Sequence, residues 1–180
     1  MPEFEFTIAA TSTVTLESFS YGGNGSTVSA GGFAPVFTLL SPISSSDPTV
    51  LADSTEGGAC GVRTPDPVTH LCLDAYLSVV EGPGSYLVIL TEYDNLPNAG
   101  DLASGFSEAG NANFTGPDFG TSPSETAFID EFGNQRDPNF YFTISGADSA
   151  SALPEPSTVS LLVAGLALLA FKKVKLRQSR

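Results

Sequence analysis

A two-residue rhythm of apolar and polar side chains runs through this chain up to residue 153 and leaves little choice of architecture. Phe4, Phe6 and Ile8 alternate with Glu3, Glu5 and Thr7, and Val14 and Leu16 alternate with Thr13, Thr15 and Glu17. Successive side chains of a strand point to opposite faces, so this period predicts strands with one face in the core and one in solvent. The stretches 35–40, 73–80, 86–93 and 139–145 continue the pattern, the last with Phe140, Phe142 and Ile144 expected inward and Tyr141 and Thr143 outward. Between them stand turn residues: Gly22-Gly23-Asn24-Gly25, Gly31-Gly32, Gly82-Pro83-Gly84 and a long Asn/Gly-rich run from Asp94 to Gly120. No stretch before Pro154 carries a helical period. The expected fold is therefore all-β, an antiparallel β-sandwich, jelly-roll-like, over residues 3–146, with a barrel as the other way of closing such strands.

Charge divides the chain in two. The 180 residues suffice for one domain and a tail. Residues 1–153 hold 19 acidic groups against Arg63 and Arg136, whereas 154–180 hold five basic groups against Glu155. A body this acidic is unsuited to nucleic-acid phosphates, whose affinity comes from basic groups releasing counterions, so no nucleic-acid partner is expected. The tail reads as an address. Val159–Phe171 has no charge and is followed by Lys172, Lys173, Lys175, Arg177 and Arg180. Its thirteen residues would span about 20 Å as a helix, short of a roughly 30 Å hydrocarbon core but extended by Thr158 and by snorkelling lysine stems. A hydrophobic transmembrane helix over 158–171 and a basic tail over 172–180 are expected, with the basic end cytoplasmic and the body across the membrane.

Ahead of that span, Pro154-Glu155-Pro156 cannot be helical and makes an extended, accessible strip. The order of strip, apolar span and basic C-terminus, over about 153–180, resembles the PEP-CTERM sorting signal of Gram-negative bacteria. The resemblance implies recognition by exosortase, a membrane-embedded cysteine transpeptidase, cleavage near Pro154-Glu155-Pro156, and delivery of the body to the cell surface or extracellular polysaccharide. The inner membrane would be a transient host. Proteins of that family also carry an N-terminal signal peptide, whereas Met1-Pro2-Glu3-Phe4 leads straight into a strand. Either the native start lies upstream or the C-terminal span directs insertion alone. Residues 147–153 are expected to link body and signal.

Within the body, Glu81-Gly82-Pro83-Gly84-Ser85-Tyr86 followed by an alternating strand resembles the penultimate hairpin of pre-peptidase C-terminal-like domains. The Phe4-Glu5-Phe6-Thr7 opening, Thr13-Val14-Thr15-Leu16, Asp74-Ala75-Tyr76-Leu77, Glu92-Tyr93-Asp94-Asn95, Phe106-Ser107 and Asn113-Phe114-Thr115-Gly116 fit the same pattern. That resemblance, over roughly 3–146, implies a small sandwich in an exported setting and carries no catalytic residues.

Cys60 and Cys72 are the chain's two cysteines. An exported setting favours a disulfide, which would stabilise by about 2–3 kcal/mol through its closed loop. Zinc held by Cys60, His70, Cys72 and an acid, or two reduced structural thiols, are the alternatives. His70 is the only histidine and has no nucleophile motif beside it, so Ser-His-Asp or Cys-His chemistry is not expected. The carboxylate pairs Glu92 with Asp94 and Asp130 with Glu131 could cleave glycosides, but in so acidic a chain they read as solvating charge. Gly22-Gly23-Asn24-Gly25 lacks the Lys-Ser/Thr of a phosphate loop and reads as a hairpin turn. Asp94, Asn95, Asn98 and Asp101 crowd one loop with the hard oxygen donors Ca²⁺ prefers, in no EF-hand spacing; side chains bonding their own backbone are the other reading. Asp47 to Glu56 is a weaker calcium candidate, and Asn113-Phe114-Thr115 matches the N-glycosylation pattern by chance. No cofactor is required by these residues.

The functional expectation is thus a non-enzymatic, exported surface or matrix protein. The alternatives are a carbohydrate-binding module using Tyr21, Tyr76, Tyr86, Tyr93 or Tyr141, with or without calcium, and a hydrolase fragment whose catalytic part lies upstream.

Overall fold

The computed structural model describes residues 1–41, 47–54, 60–61, 63–110 and 128–153. The sorting strip Pro154-Glu155-Pro156, the expected span over 158–171 and the basic cluster Lys172, Lys173, Lys175 and Arg177 lie outside the described residues, as do Glu56 and Asn113-Phe114-Thr115. Among the described residues no helix is long and apolar enough to cross a membrane.

The body is all-β. Its strands are β1 (Glu3–Ile8), β2 (Ser12–Ser18), β3 (Pro35–Leu40), β4 (Val50–Asp53), β5 (Tyr76–Glu81), β6 (Gly84–Glu92), β7 (Phe142–Ser145) and β8 (Ser149–Ala152), with one 3₁₀ turn at Leu102–Ser104. They form a five-stranded sheet, β4-β3-β6-β1-β8, and a three-stranded sheet, β5-β2-β7, and every strand pairing is antiparallel. The alternation decides which faces meet. Phe6 and Ile8 of β1, Phe37 and Leu39 of β3 and Tyr86, Val88 and Leu90 of β6 form one cluster with Val14 and Leu16 of β2, against which Leu77, Val79, Phe142 and Ile144 also pack. Each such large side chain, taken out of water, contributes about 2–3 kcal/mol. The result is a sandwich with its core between the sheets.

The central strands β3 and β6 are buried on both faces. Behind the larger sheet, Leu40, Leu87 and Ile89 form a second cluster with Phe106, and Val50, Leu102 and Leu153 pack on it. This explains the unbroken apolar run Leu87-Val88-Ile89-Leu90, where a one-sided strand would alternate.

The structure redraws four sequence expectations. The Gly82-Pro83 turn does not close a hairpin. Both edges of β6 are occupied, by β1 and β3, so the turn carries the chain from β5 in one sheet to β6 in the other. The Gly22–Gly25 run is likewise a loop between sheets, held by Asn24 Oδ1, which accepts from the amides of Ser26, Thr27 and Val28 at 3.1, 2.8 and 2.9 Å. Residues 147–153, expected to link body and tail, contain β8, which pairs with β1 from Phe4↔Ala152 to Thr7↔Ser149. At the end of the 139–145 stretch Phe142 and Ile144 face the core as expected, while Phe140 is 40% exposed ahead of the strand.

Candidate functional site at the loop end of the sandwich

The long connections leaving β2, entering β3 and β5, and joining β6 to β7 gather at one end of the sandwich. There a set of buried polar side chains ties them together. Arg136, one of the two basic residues of the body, lies over the Tyr21 ring with its guanidinium carbon 3.7 Å from the centroid. Its Nε donates to the Gly32 carbonyl at 2.9 Å, and its Nη2 donates to the Tyr21 carbonyl at 2.9 Å and to Asp66 Oδ2 at 3.0 Å. The ion pair is closed to solvent, with side-chain exposures of 4% for Arg136 and 2% for Asp66.

Asp66 also caps its own turn, Oδ1 accepting from the amides of Val68 at 3.0 Å and Thr69 at 2.7 Å. Burial pulls its pKa up, but the Thr69 amide, Arg136 and the Val68 amide outweigh that and hold the carboxyl below its ordinary value. The Tyr21 hydroxyl donates to Asp130 Oδ2 at 2.5 Å and lies 3.1 Å from Thr69 Oγ1. Burial first, and the hydrogen bond to Asp130 second, push the Tyr21 phenol well above its ordinary range. Asp130 Oδ1 in turn accepts from the amides of Phe132 at 3.0 Å and Asn134 at 2.8 Å.

A third carboxylate, Asp74, holds the loop that carries Tyr21. Its Oδ1 accepts from Ser18 Oγ at 2.7 Å and the Tyr21 amide at 3.0 Å, and its Oδ2 from the Gly22 amide at 2.7 Å. The Ser18 hydroxyl then accepts from the Ala75 amide at 2.8 Å. No Cβ would fit at Gly22, since it would collide with the Thr64 carbonyl. Each carboxylate here is engaged by donors from its own turn or from a loop far away in sequence. The arrangement fixes loops; its oxygens are spent on that work.

The residues singled out in the sequence fall in different places. Cys60 and Cys72 form a disulfide with Cα atoms 5.1 Å apart, so both cysteines are taken up in the bridge. It staples the loop that brings Arg63 to the Asp74 carbonyl, which its Nη1 reaches at 2.9 Å. His70 is exposed, with φ of 61°, on the turn capped by Asp66. Asp130 is buried while Glu92 and Asp94 part company, Glu92 being 5% exposed and Asp94 standing on an exposed turn with φ of 74°.

The four calcium candidates share one loop. Asn95 Oδ1 accepts from the Glu108 amide at 3.0 Å, Asp101 Oδ1 from the Ser104 amide at 2.8 Å, and Asn98 Nδ2 donates to the Ser104 carbonyl at 3.1 Å. These are bonds to the loop's own backbone, and the Ser104 contacts hold the exposed Asp101 carboxyl below its ordinary pKa. Among the described residues no three His, Cys, Asp or Glu side chains stand together as a metal set.

Of the five tyrosines, Tyr21 and Tyr86 belong to the interior, at 0% and 4% exposure, which removes them from any binding surface. Tyr76 and Tyr141 are exposed on the outer face of the smaller sheet, where Phe19 packs 6.0 Å from Tyr141.

No family model matches the chain, and no curated protein and no solved structure matches it significantly.

Proposed function

We propose that this is an exported, non-enzymatic protein of the cell surface or extracellular matrix, sorted by exosortase through its C-terminal signal. The observation that carries the reading is the order of three parts in the sequence: Pro154-Glu155-Pro156, an uncharged span, and the basic cluster from Lys172. The disulfide Cys60–Cys72 supports it, because such bridges persist in oxidising compartments outside the cytosol. The resemblance of the body to pre-peptidase C-terminal-like domains with a jelly-roll-like topology belongs to the same proposal. In this reading the inner membrane holds the precursor only until the strip is cut, and the sandwich is the mature protein.

Intact mass and C-terminal peptide mapping of protein recovered from envelope and medium tests it. Loss of everything beyond the Pro154-Glu155-Pro156 region is the expected result. Retention of 157–180 in the membrane fraction would make the protein a C-terminally anchored one and end the exosortase reading.

A second reading, a carbohydrate-binding module for extracellular polysaccharide, is favoured by one observation. Tyr76, Phe19 and Tyr141 share the outer face of the smaller sheet beside a hydroxyl-bearing row in which Thr15 pairs with Ser78 and Ser145. Aromatic faces beside hydroxyls suit sugar rings. A glycan array blank with and without calcium would remove it.

A further inference from the structure

At the loop end a groove of about 310 Å³ is lined by the segment 27–29 on one side and by residues from Asp137 to Tyr141 on the other. Both walls are fixed from behind. Asn24 Oδ1 holds the first through the amides of Thr27 and Val28. The second is held by Arg136, whose Nε reaches the Gly32 carbonyl, by the Asp137 amide donating to the Gly31 carbonyl at 2.9 Å, and by the Tyr141 amide donating to Ser20 Oγ at 3.2 Å. A Cβ at Gly32 would collide with the carbonyls of Asn139 and Ser20, so the backbones behind this wall pack without room for a side chain. The Arg136 cluster thus supports a surface that needs no ligand to order it.

The polar groups of the groove differ from those of the buried cluster in having capacity left. Asp137 spends one carboxylate oxygen, Oδ1, on the Asn139 amide at 2.8 Å. The Asn139 carboxamide and the Tyr141 hydroxyl engage no other group among the described residues. Beside them stand two rings, Tyr141 at 48% exposure, backed by Phe19 at 6.0 Å, and Phe140 at 40%, backed by Phe33 at 6.3 Å. The groove therefore offers aromatic faces with donors and acceptors at their edge. A sugar ring has the complementary make-up, C–H groups on its faces and hydroxyls that donate and accept around its rim. A purely apolar ligand would strip water from the polar groups and return no bond. An anionic sugar would meet Asp137 and the field of 19 acidic groups against two basic ones over residues 1–153. A cationic sugar would gain little, since an ion pair with a carboxylate that borders solvent is screened. We infer that this groove binds an uncharged sugar unit of a polysaccharide, with Tyr141 as its platform and Asn139 and Asp137 holding its hydroxyls. The inference rests on the carbohydrate-binding reading and moves its site from the open sheet face into the groove, where Tyr141 belongs to both.

The test uses the full-length chain in a polyoxyethylene ether detergent, which carries no sugar. It is titrated calorimetrically with cellohexaose, laminarihexaose and mannohexaose, and with hexagalacturonate and a glucosamine hexamer as charged controls. At least one neutral hexasaccharide should bind about tenfold or more tightly than either control. Asn139→Ala and Tyr141→Ala should each weaken it by about tenfold. Both residues are exposed, so their removal leaves the core intact, which unchanged urea midpoints verify. Tyr76→Ala, outside the groove's lining, should leave the affinity within about twofold. Binding lost in Tyr76→Ala but kept in Asn139→Ala and Tyr141→Ala would overturn the groove and leave the carbohydrate-binding reading standing, whereas no binding of any neutral hexasaccharide would end both. A charged control bound as tightly as the neutral sugars would overturn the inferred ligand.

Discussion

At one end of the sandwich the chain crosses between the sheets three times in two or three residues, at 9–11, Gly82-Pro83 and 146–148; at the other end it crosses in long loops. The short crossings are closed mainly through the backbone and at the surface. Gly146 takes a φ of +83° where any Cβ would collide with the Thr13 carbonyl, and Asp148 Oδ2 accepts from the Ala9 amide at 2.6 Å, tying one crossing to its neighbour. In the long loops Asn24, Asp66 and Asp130 cap their own turns, but such caps do not join one loop to another. The loops are held together by Arg136, Asp66, Tyr21, Asp130 and Asp74, residues up to 115 positions from the groups they bind. Both ends join residues far apart in sequence; the short end does so with backbone geometry and an exposed carboxylate, the long end with buried side chains that must be dry when they meet.

Breaking the long end should therefore cost most. Arg136→Ala leaves Asp66 buried beside an empty place, and a loss of about 3–5 kcal/mol is expected in urea unfolding. The double replacement Arg136→Met with Asp66→Leu removes both charges and should recover most of that loss; failure to recover would mean that Arg136 acts chiefly through the Gly32 and Tyr21 carbonyls. Next comes the staple of the same end: replacing Cys60 and Cys72 by alanine should cost about 2–3 kcal/mol by the same measurement, with the difference vanishing when wild type is reduced. At the short end, Gly146→Ala should cost about 1–3 kcal/mol from backbone strain and should leave the pairing of β3 with β6, read by hydrogen exchange, unchanged. Were Gly146→Ala to cost more than Arg136→Ala, the division of labour between the ends would be reversed.

The same division explains what could be read from the sequence. Strands β1 and β2 were legible because Phe6 and Val14 announce their face by a period that needs no partner to be known, and β3 and β6 were legible as strands, though not by face, from their apolar runs. Strands β4 and β8 were not. Ser149–Ala152 has no large apolar residue and is a strand because β1 offers it an open edge, a fact of tertiary placement. The Gly82-Pro83 turn was legible as a turn, but whether it joins strands of one sheet or of two depends on which neighbours β6 already has. Among site residues, the disulfide was legible from cysteine count and setting. The Arg136 cluster was missed although one clue was in view: a body with only two basic residues must have a use for each, and a solubilising role is implausible among 19 acids. The turn-forming neighbourhoods of Asp66 and Asp130 were visible too; their convergence on Tyr21 was not, because nothing local encodes it.

The smallest predicted effects concern pH, and they compare a tyrosine at each end. Tyr21 at the long end donates to a buried carboxylate, and Tyr86 at the short end donates to the Gly82 carbonyl at 2.9 Å. Burial raises both pKa values, with Asp130 adding to it for Tyr21 and Glu81 for Tyr86. A phenol whose pKa is raised by folding contributes fully below the unfolded value of 10.0, and that contribution is lost as pH rises beyond it, because the unfolded chain ionises first. Asp66 has the opposite sign. Its folded value is lowered, so its contribution is present above 3.8 and is lost as pH falls below that. Urea midpoints should thus decline above about pH 10 and below about pH 4. Tyr21→Phe should cost about 1 kcal/mol at neutral pH through the lost bond to Asp130 and should flatten the alkaline decline more than Tyr86→Phe does. The physical reason is the partner: ionising Tyr21 would set a phenolate against the Asp130 carboxylate, whereas ionising Tyr86 turns it toward a neutral carbonyl and a carboxylate that borders solvent. An alkaline decline blunted equally by the two substitutions would show that burial alone, and not the charge network of the long loops, holds the Tyr21 proton.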